Sequence, residues 1–99
     1  MTGSDPNLPL DVIHNPSTNR FEIPIGESLA FLEYAIKNDD MIFLHTETPP
    51  QYEGRGIGSR LARAGLEFAK ENLYRVVPLC PFIEAYIVRH PEYKPLVRK

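Results

Sequence analysis

"LHTETPPQYEGRGIGSRL", Leu44–Leu61, joins a run of strand formers to a helix through two prolines and three glycines. The run that leads into it, "MIFLHTET" (Met41–Thr48), has strand length and alternation, and Pro49–Pro50 ends it because proline cannot donate to a ladder. The run that follows predicts a helix from Gly58 to Leu73. Ile57, Leu61, Gly65, Phe68 and Ala69 fall on one apolar side, with Arg60, Arg63, Glu67 and Glu71 opposite. Arg63 and Glu67, four residues apart, are spaced to pair on the wet side. A strand, a glycine loop and a helix that packs one side on a sheet form a crossover, and the rest of the chain is read outward from it.

Upstream, "LDVIH" reads as a short strand, "NPSTN" as a turn, and "RFEIPI" as a second strand with Phe21, Ile23 and Ile25 alternating. Ser28–Lys37, "SLAFLEYAIK", fits helical spacing through Leu29, Leu32 and Ile36, and fits alternation through Ala30, Leu32, Tyr34 and Ile36. Periodicity alone does not separate the two. The turn chemistry of "NDD" and the strand-length run beyond it favour a hairpin of two strands. On the second of these strands Ile42, Leu44 and Thr46 are expected on one face, and Phe43, His45 and Glu47 on the other. Downstream, "YRVVPLC" reads as a buried strand. Pro81 suits a first helical position, and "FIEAYIVRH" continues as a helix until Pro91, with His90 at its C-terminal end. The last residues read as a short packed tail.

The order is four strands, a helix, a strand and a helix. It predicts an α+β fold: a mixed, mostly antiparallel sheet of about five strands with two main helices. Residues 10–99 form the single domain expected of a 99-residue chain, and residues 1–9, polar and turn-rich, are expected to be a loose tail.

With 11 basic and 13 acidic residues the formal charge is −2, so the cationic excess that phosphate-backbone binding requires is missing and nucleic acid is not expected as a partner. No apolar run approaches the roughly 20 residues of a membrane-spanning helix. One cysteine, Cys80, forms no internal disulfide, and no basic patch precedes an apolar run at the N-terminus. An intracellular, cytoplasmic location is the expectation. His14, His45 and His90 are scattered without ligand spacing, so no metal is expected.

A helix N-terminus exposes backbone N–H groups without internal partners, and its dipole adds positive potential. Gly54, Gly56 and Gly58 would let a phosphate approach that backbone, with Arg55 and Arg60 near enough to add charge. The window lacks the lysine of a Walker A loop, and its GxGxG spacing departs from the GxGxxG dinucleotide fingerprint. Both of those phosphate chemistries are disfavoured. A glycine-rich turn into a helix is also a common tight connection, so the loop by itself supports either reading.

Gln51, Gly54 and Gly56 together resemble the QxxGxG acyl-CoA loop of the GCN5-related N-acetyltransferases. "VVPLCPFIEAYIVRHPEY", Val76–Tyr93, extends the likeness to the small single-domain group of that superfamily, over roughly residues 10 to 97. The resemblance implies an acyl-CoA N-acyltransferase-like fold with acetyl-CoA as cosubstrate. Backbone N–H groups of Glu53, Gly54, Arg55, Gly56, Ile57, Gly58 and Ser59 would hold the coenzyme A pyrophosphate. Pantetheine would lie along Thr46 to Thr48, between strands that splay apart, with the thioester toward Cys80. Two departures bear on function. Glu53 stands where the family usually has a basic residue, and the early helices that wall the acceptor pocket of larger members are missing.

Four residues are candidates for the chemistry. Cys80, just before Pro81, lies near a helix N-cap, where the dipole favours a thiolate that could accept acetyl; a cysteine at the end of a core strand is equally a small hydrophobe. His45 and Glu47 are candidate bases on the strand leading to the loop, or a solvated strand end. Tyr86 sits near the position of the family's proton-donating tyrosine, with the apolar Ile83 and Ile87 beside it marking it equally as a core aromatic. The expectation is an acetyl-CoA-binding N-acetyltransferase-like protein with an amine acceptor, possible acetyl carriage on Cys80, and a non-catalytic coenzyme A-binding module as its rival.

Overall fold

The computed structural model describes residues 11–99, so the tail expected over residues 1–9 lies outside the described residues. Five strands and two helices follow in the expected order. They are β1 (Ile13–Asn15), β2 (Arg20–Ile25), β3 (Ser28–Lys37), β4 (Asp40–Glu47), α1 (Ile57–Glu71), β5 (Arg75–Pro78) and α2 (Pro81–Arg89). Short 3-10 turns occupy Pro50–Tyr52 and Pro91–Leu96.

The sheet runs β1-β2-β3-β4-β5. Every neighbour is antiparallel except β5, which joins β4 in parallel because α1 carries the chain across between them. Two-residue turns close the hairpins on either side of β3. Gly26 at φ 57° turns β2 into β3, and Asn38 at φ 58° turns β3 into β4, one of the few residue types that tolerates the left-handed region. The ambiguous Ser28–Lys37 segment is therefore a strand along its whole length, with Ala30, Leu32 and Tyr34 buried in alternation.

The buried side chains of β2, β3, β4 and β5 meet the apolar side of α1, where Ile57, Leu61, Ala62, Leu66 and Ala69 are all at most 2% exposed and Gly65 is buried among them. Burying a Leu or Ile side chain fully contributes about 1.5–3 kcal/mol, so this layer dominates stability. Contact is close at Gly65: a Cβ there would lie 2.8 Å from Phe43 Cε1 and 2.9 Å from Leu32 Cδ2. On its polar side α1 departs from the expected Arg63–Glu67 pairing. Tyr93, beyond α2, donates its hydroxyl to Glu67 Oε2 at 2.6 Å, and this ties the C-terminal segment to α1. The remaining tail packs beside β5, where Arg98 N–H donates to the Val76 carbonyl at 2.9 Å.

Candidate functional site

The site begins where β4 outruns β5. Pairing between them runs from Asp40–Arg75 to Phe43–Pro78. One more backbone bond, from Cys80 N–H to the Phe43 carbonyl at 2.9 Å, ends the contact. Pro78 and Pro81 lack N–H groups, and Pro81 starts α2. Leu44–Glu47 consequently have no β5 partner, and the two strands part.

A bulge in β4 reorients this free end. Tyr34 pairs with Phe43 but Glu33 pairs with His45, which leaves Leu44 as the extra residue. One inserted residue reverses the alternation beyond it. The expected faces are therefore corrected. Phe43 stays on the core side, but His45 and Glu47 do not share its face; they lie opposite Glu33 and Phe31 on the other face of the sheet. Thr46 joins the core side across from Leu32 and brings its Oγ1 to 3.3 Å from Cys80 Sγ. His45 Nε2 lies 3.0 Å from Glu47 Oε1, with both side chains more than half exposed.

A cleft of about 490 Å³ runs from this free end to the start of α1. Thr46, Thr48, Tyr52, Glu53, Gly54, Gly56, Ile57, Gly58 and Ser59 line it from the β4–α1 side, and Phe82 and Arg89 from α2. Helix α1 starts with no side-chain cap and no acidic residue in its first turn. The first N–H groups of α1 therefore take no side-chain cap, and the positive end of its dipole lies at the cleft, where Glu53 is the one carboxylate among the described lining residues.

The three loop glycines serve different needs. Gly54 and Gly56 adopt φ 83° and 77°, a region that side chains strain to enter, and a Cβ at either would meet nothing within 4 Å. The space over both is open. Gly58 is required for packing, because a Cβ there would come within 2.8 Å of Phe82 Cζ. Gly54 and Gly56 thus combine left-handed backbone with open space, whereas Gly58 is closed over by Phe82.

Of the ten residues expected to contact the cofactor, Thr46, Thr48, Glu53, Gly54, Gly56, Ile57, Gly58 and Ser59 line the cleft. Gln51 sits in the 3-10 turn with its side chain exposed, and Arg55 lies 5.6 Å from the Tyr52 ring centroid; neither is part of the lining. Tyr52, Phe82 and Arg89 were not anticipated. Phe82 and Arg89 stand seven residues apart, two turns of one helix stripe, a spacing that sequence alone contains. Tyr52 offered no such signal; its hydroxyl stands 3.0 Å from the point a Gly26 Cβ would occupy, a contact between hairpin tip and loop.

Cys80 is the N-cap residue of α2 and only 3% exposed. Tyr86 is buried against the His90 ring, 4.0 Å away. Burial pushes its phenol up from the usual range, Glu92 and Glu67 add to this and Arg63 opposes it, so the hydroxyl keeps its proton at neutral pH. Neither residue lines the cleft, although Cys80 touches Thr46, which does. Among the described residues no three His, Cys, Asp or Glu side chains converge as a metal site would require, and no helix is long and apolar enough to cross a membrane.

Comparison with known proteins agrees with this architecture. The chain is 31% identical over 86 residues to Protein NATD1 of Gallus gallus, covering 84% of this chain and 78% of the relative. It is 32% identical over 89 residues to Protein NATD1 of Danio rerio, covering 85% and 81%. The solution structure of a GCN5-like protein from Staphylococcus aureus superposes with a TM-score of 0.68 at 23% identity, over 90% of this chain and 88% of that one, and so shares the fold. The sequence profile described as GCN5-related N-acetyl-transferase matches residues 20–96. The mostly antiparallel sheet, the parted β4 and β5 and the glycine loop at the mouth of α1 are thus those of a member of the GCN5-related N-acetyltransferase family, to which this chain belongs.

Proposed function

We propose that this protein binds acetyl-coenzyme A in the cleft and transfers the acetyl group to an amine. One observation carries the reading: a single cleft connects an uncapped helix N-terminus to the unpaired end of β4, where Thr46 borders Cys80. An uncapped N-terminus suits a pyrophosphate, and the open space over Gly54 and Gly56 gives it room. Thr46 and Thr48 offer hydroxyls along a strand end whose backbone is free of β5.

Acetyl-CoA, when bound, supplies an acetyl thioester; the chain's own part is to hold and orient. Backbone N–H groups of Ile57, Gly58 and Ser59 hold the phosphates, Thr46 and Thr48 guide the arm, and the acyl end reaches the Thr46–Cys80 contact. In the transfer a C–N bond forms as the C–S bond breaks. The amine loses a proton, and the departing thiolate gains one. His45 and Glu47 flank the same gap from the other sheet face, where an amine arriving from that side would meet them.

Titration calorimetry with coenzyme A tests the binding: heat saturating at micromolar concentrations is expected, and a folded sample that binds nothing at high micromolar coenzyme A ends the proposal. Carriage on Cys80 predicts an acetyl adduct by mass spectrometry after incubation with acetyl-CoA. An adduct that persists in Cys80→Ala excludes it.

A second reading, a non-catalytic coenzyme A-binding module, is favoured by one specific feature. Cys80, His45, Glu47 and Tyr86 all lie off the cleft lining. Release of free thiol from acetyl-CoA in the presence of polyamines, amino acids or lysine peptides decides for catalysis.

A further inference from the structure

We propose that Arg89 is the phosphate-recognising cation of the cleft, so that the site selects carriers by the charge of their nucleotide half as well as by the backbone cradle. The inference rests on the coenzyme A reading above and extends it to a residue outside the glycine loop.

Among the described residues Arg89 is the only positively charged side chain lining the cleft, and Glu53 is the only negative one. The lining is therefore close to neutral, although the proposed occupant is a polyanion. Arg55, the loop's own arginine, is set over the Tyr52 ring and does not line the space. Among the described residues Arg89 has no hydrogen bond or ion pair, and its side chain is exposed. A guanidinium in that state can present its planar fork to phosphate oxygens, with little to give up in exchange.

The backbone beneath it is held in place. Phe82, two turns earlier on the same side of α2, presses its ring against Gly58 in the first turn of α1. That contact sets the start of α2 against the helix mouth where the phosphates would sit, and the nine-residue helix ends in Arg89, which lines the same cleft. A cation in the last turn of a helix is also favoured by the dipole, an ordinary structural role that the test must separate.

Calorimetry on Arg89→Ala and Arg89→Lys, with coenzyme A and with dephospho-coenzyme A at several salt concentrations, does so. Arg89→Ala is expected to weaken coenzyme A binding about tenfold and to flatten its salt dependence, with Arg89→Lys recovering part of both. A loss that persists with dephospho-coenzyme A assigns the contact to the pyrophosphate, and a loss that disappears assigns it to the 3′-phosphate; either supports the proposal. Unchanged affinity in Arg89→Ala, or reduced affinity with the wild-type salt dependence, overturns it while leaving the coenzyme A reading intact. A wild-type protein that binds neither ligand overturns both.

Discussion

Gly58 and Gly65 lie on one stripe of α1, two turns apart, and meet the same obstacle at the same distance. A Cβ at Gly65 would stand 2.8 Å from the Phe43 ring, and one at Gly58 would stand 2.8 Å from the Phe82 ring. Their surroundings differ. Phe43 is fully buried in the half of β4 that pairs with β5, with Leu32 pressing from beside it. Phe82 is only partly buried and borders the cleft, over the half of β4 that β5 has left. One glycine lets a helix sit close on a sheet, and the other lets two helices meet at the rim of a binding site.

The comparison breaks most visibly at the core. Gly65→Val forces two fixed side chains apart and is expected to cost ~3 kcal/mol, read as a lowered urea midpoint, because an overpacked core has nowhere to yield. Gly58→Val meets a ring that can swing toward solvent. It is expected to cost about 1 kcal/mol in the same titration while weakening coenzyme A binding at least about tenfold, since Phe82 then moves into the cleft. Equal destabilisation by both variants would show that the two regions are not distinct. Glu53→Gln sharpens the binding side alone: removing the Glu53 carboxylate from the lining is expected to tighten coenzyme A about threefold at low salt, with melting temperature unchanged.

The smallest effect belongs to a region that has nothing to do with the cleft. His14 lies with its Nε2 2.6 Å from the Tyr34 hydroxyl, stacks on Phe21 at 4.3 Å and meets the edge of Phe68 at 4.6 Å, so it pins β1 to the sheet. Burial lowers its pKa below the ordinary 6.5. The unfolded chain therefore takes up the proton first as pH falls. His14's contribution is complete above about pH 6.5 and is lost as pH drops below that value toward the folded pKa. Thermal melts between pH 7.5 and 5 are expected to show this decline, and His14→Phe to flatten it.

Much of this division was legible from residue order. The punctuation by Pro49–Pro50, Gly54, Gly56, Pro81 and Pro91 marks where elements end, because those residues act on their own backbone whatever surrounds them. Local chemistry also carried "NDD" to a hairpin turn and the helical stripe of Leu61, Gly65 and Ala69 to the core. What stayed hidden depends on the neighbouring strand or helix. The Leu44 bulge is visible only in the pairing of β4 with β3, and it alone sends Thr46 to Cys80 and His45 with Glu47 to the opposite face. Likewise, Glu67 takes its bond from Tyr93, twenty-six residues away, and not from Arg63 one turn away.

By itself, then, the sequence determined the order of strands and helices, the glycine loop at the mouth of α1 and the family those features resemble, since propensity, periodicity and turn chemistry are properties of short windows. The tertiary structure decided which side chains share the cleft. A register shift of one residue turns a strand end over, and the meeting of α1 with α2 at Gly58 and Phe82 is what brings Arg89 to the cleft from a helix that the loop's own sequence does not include.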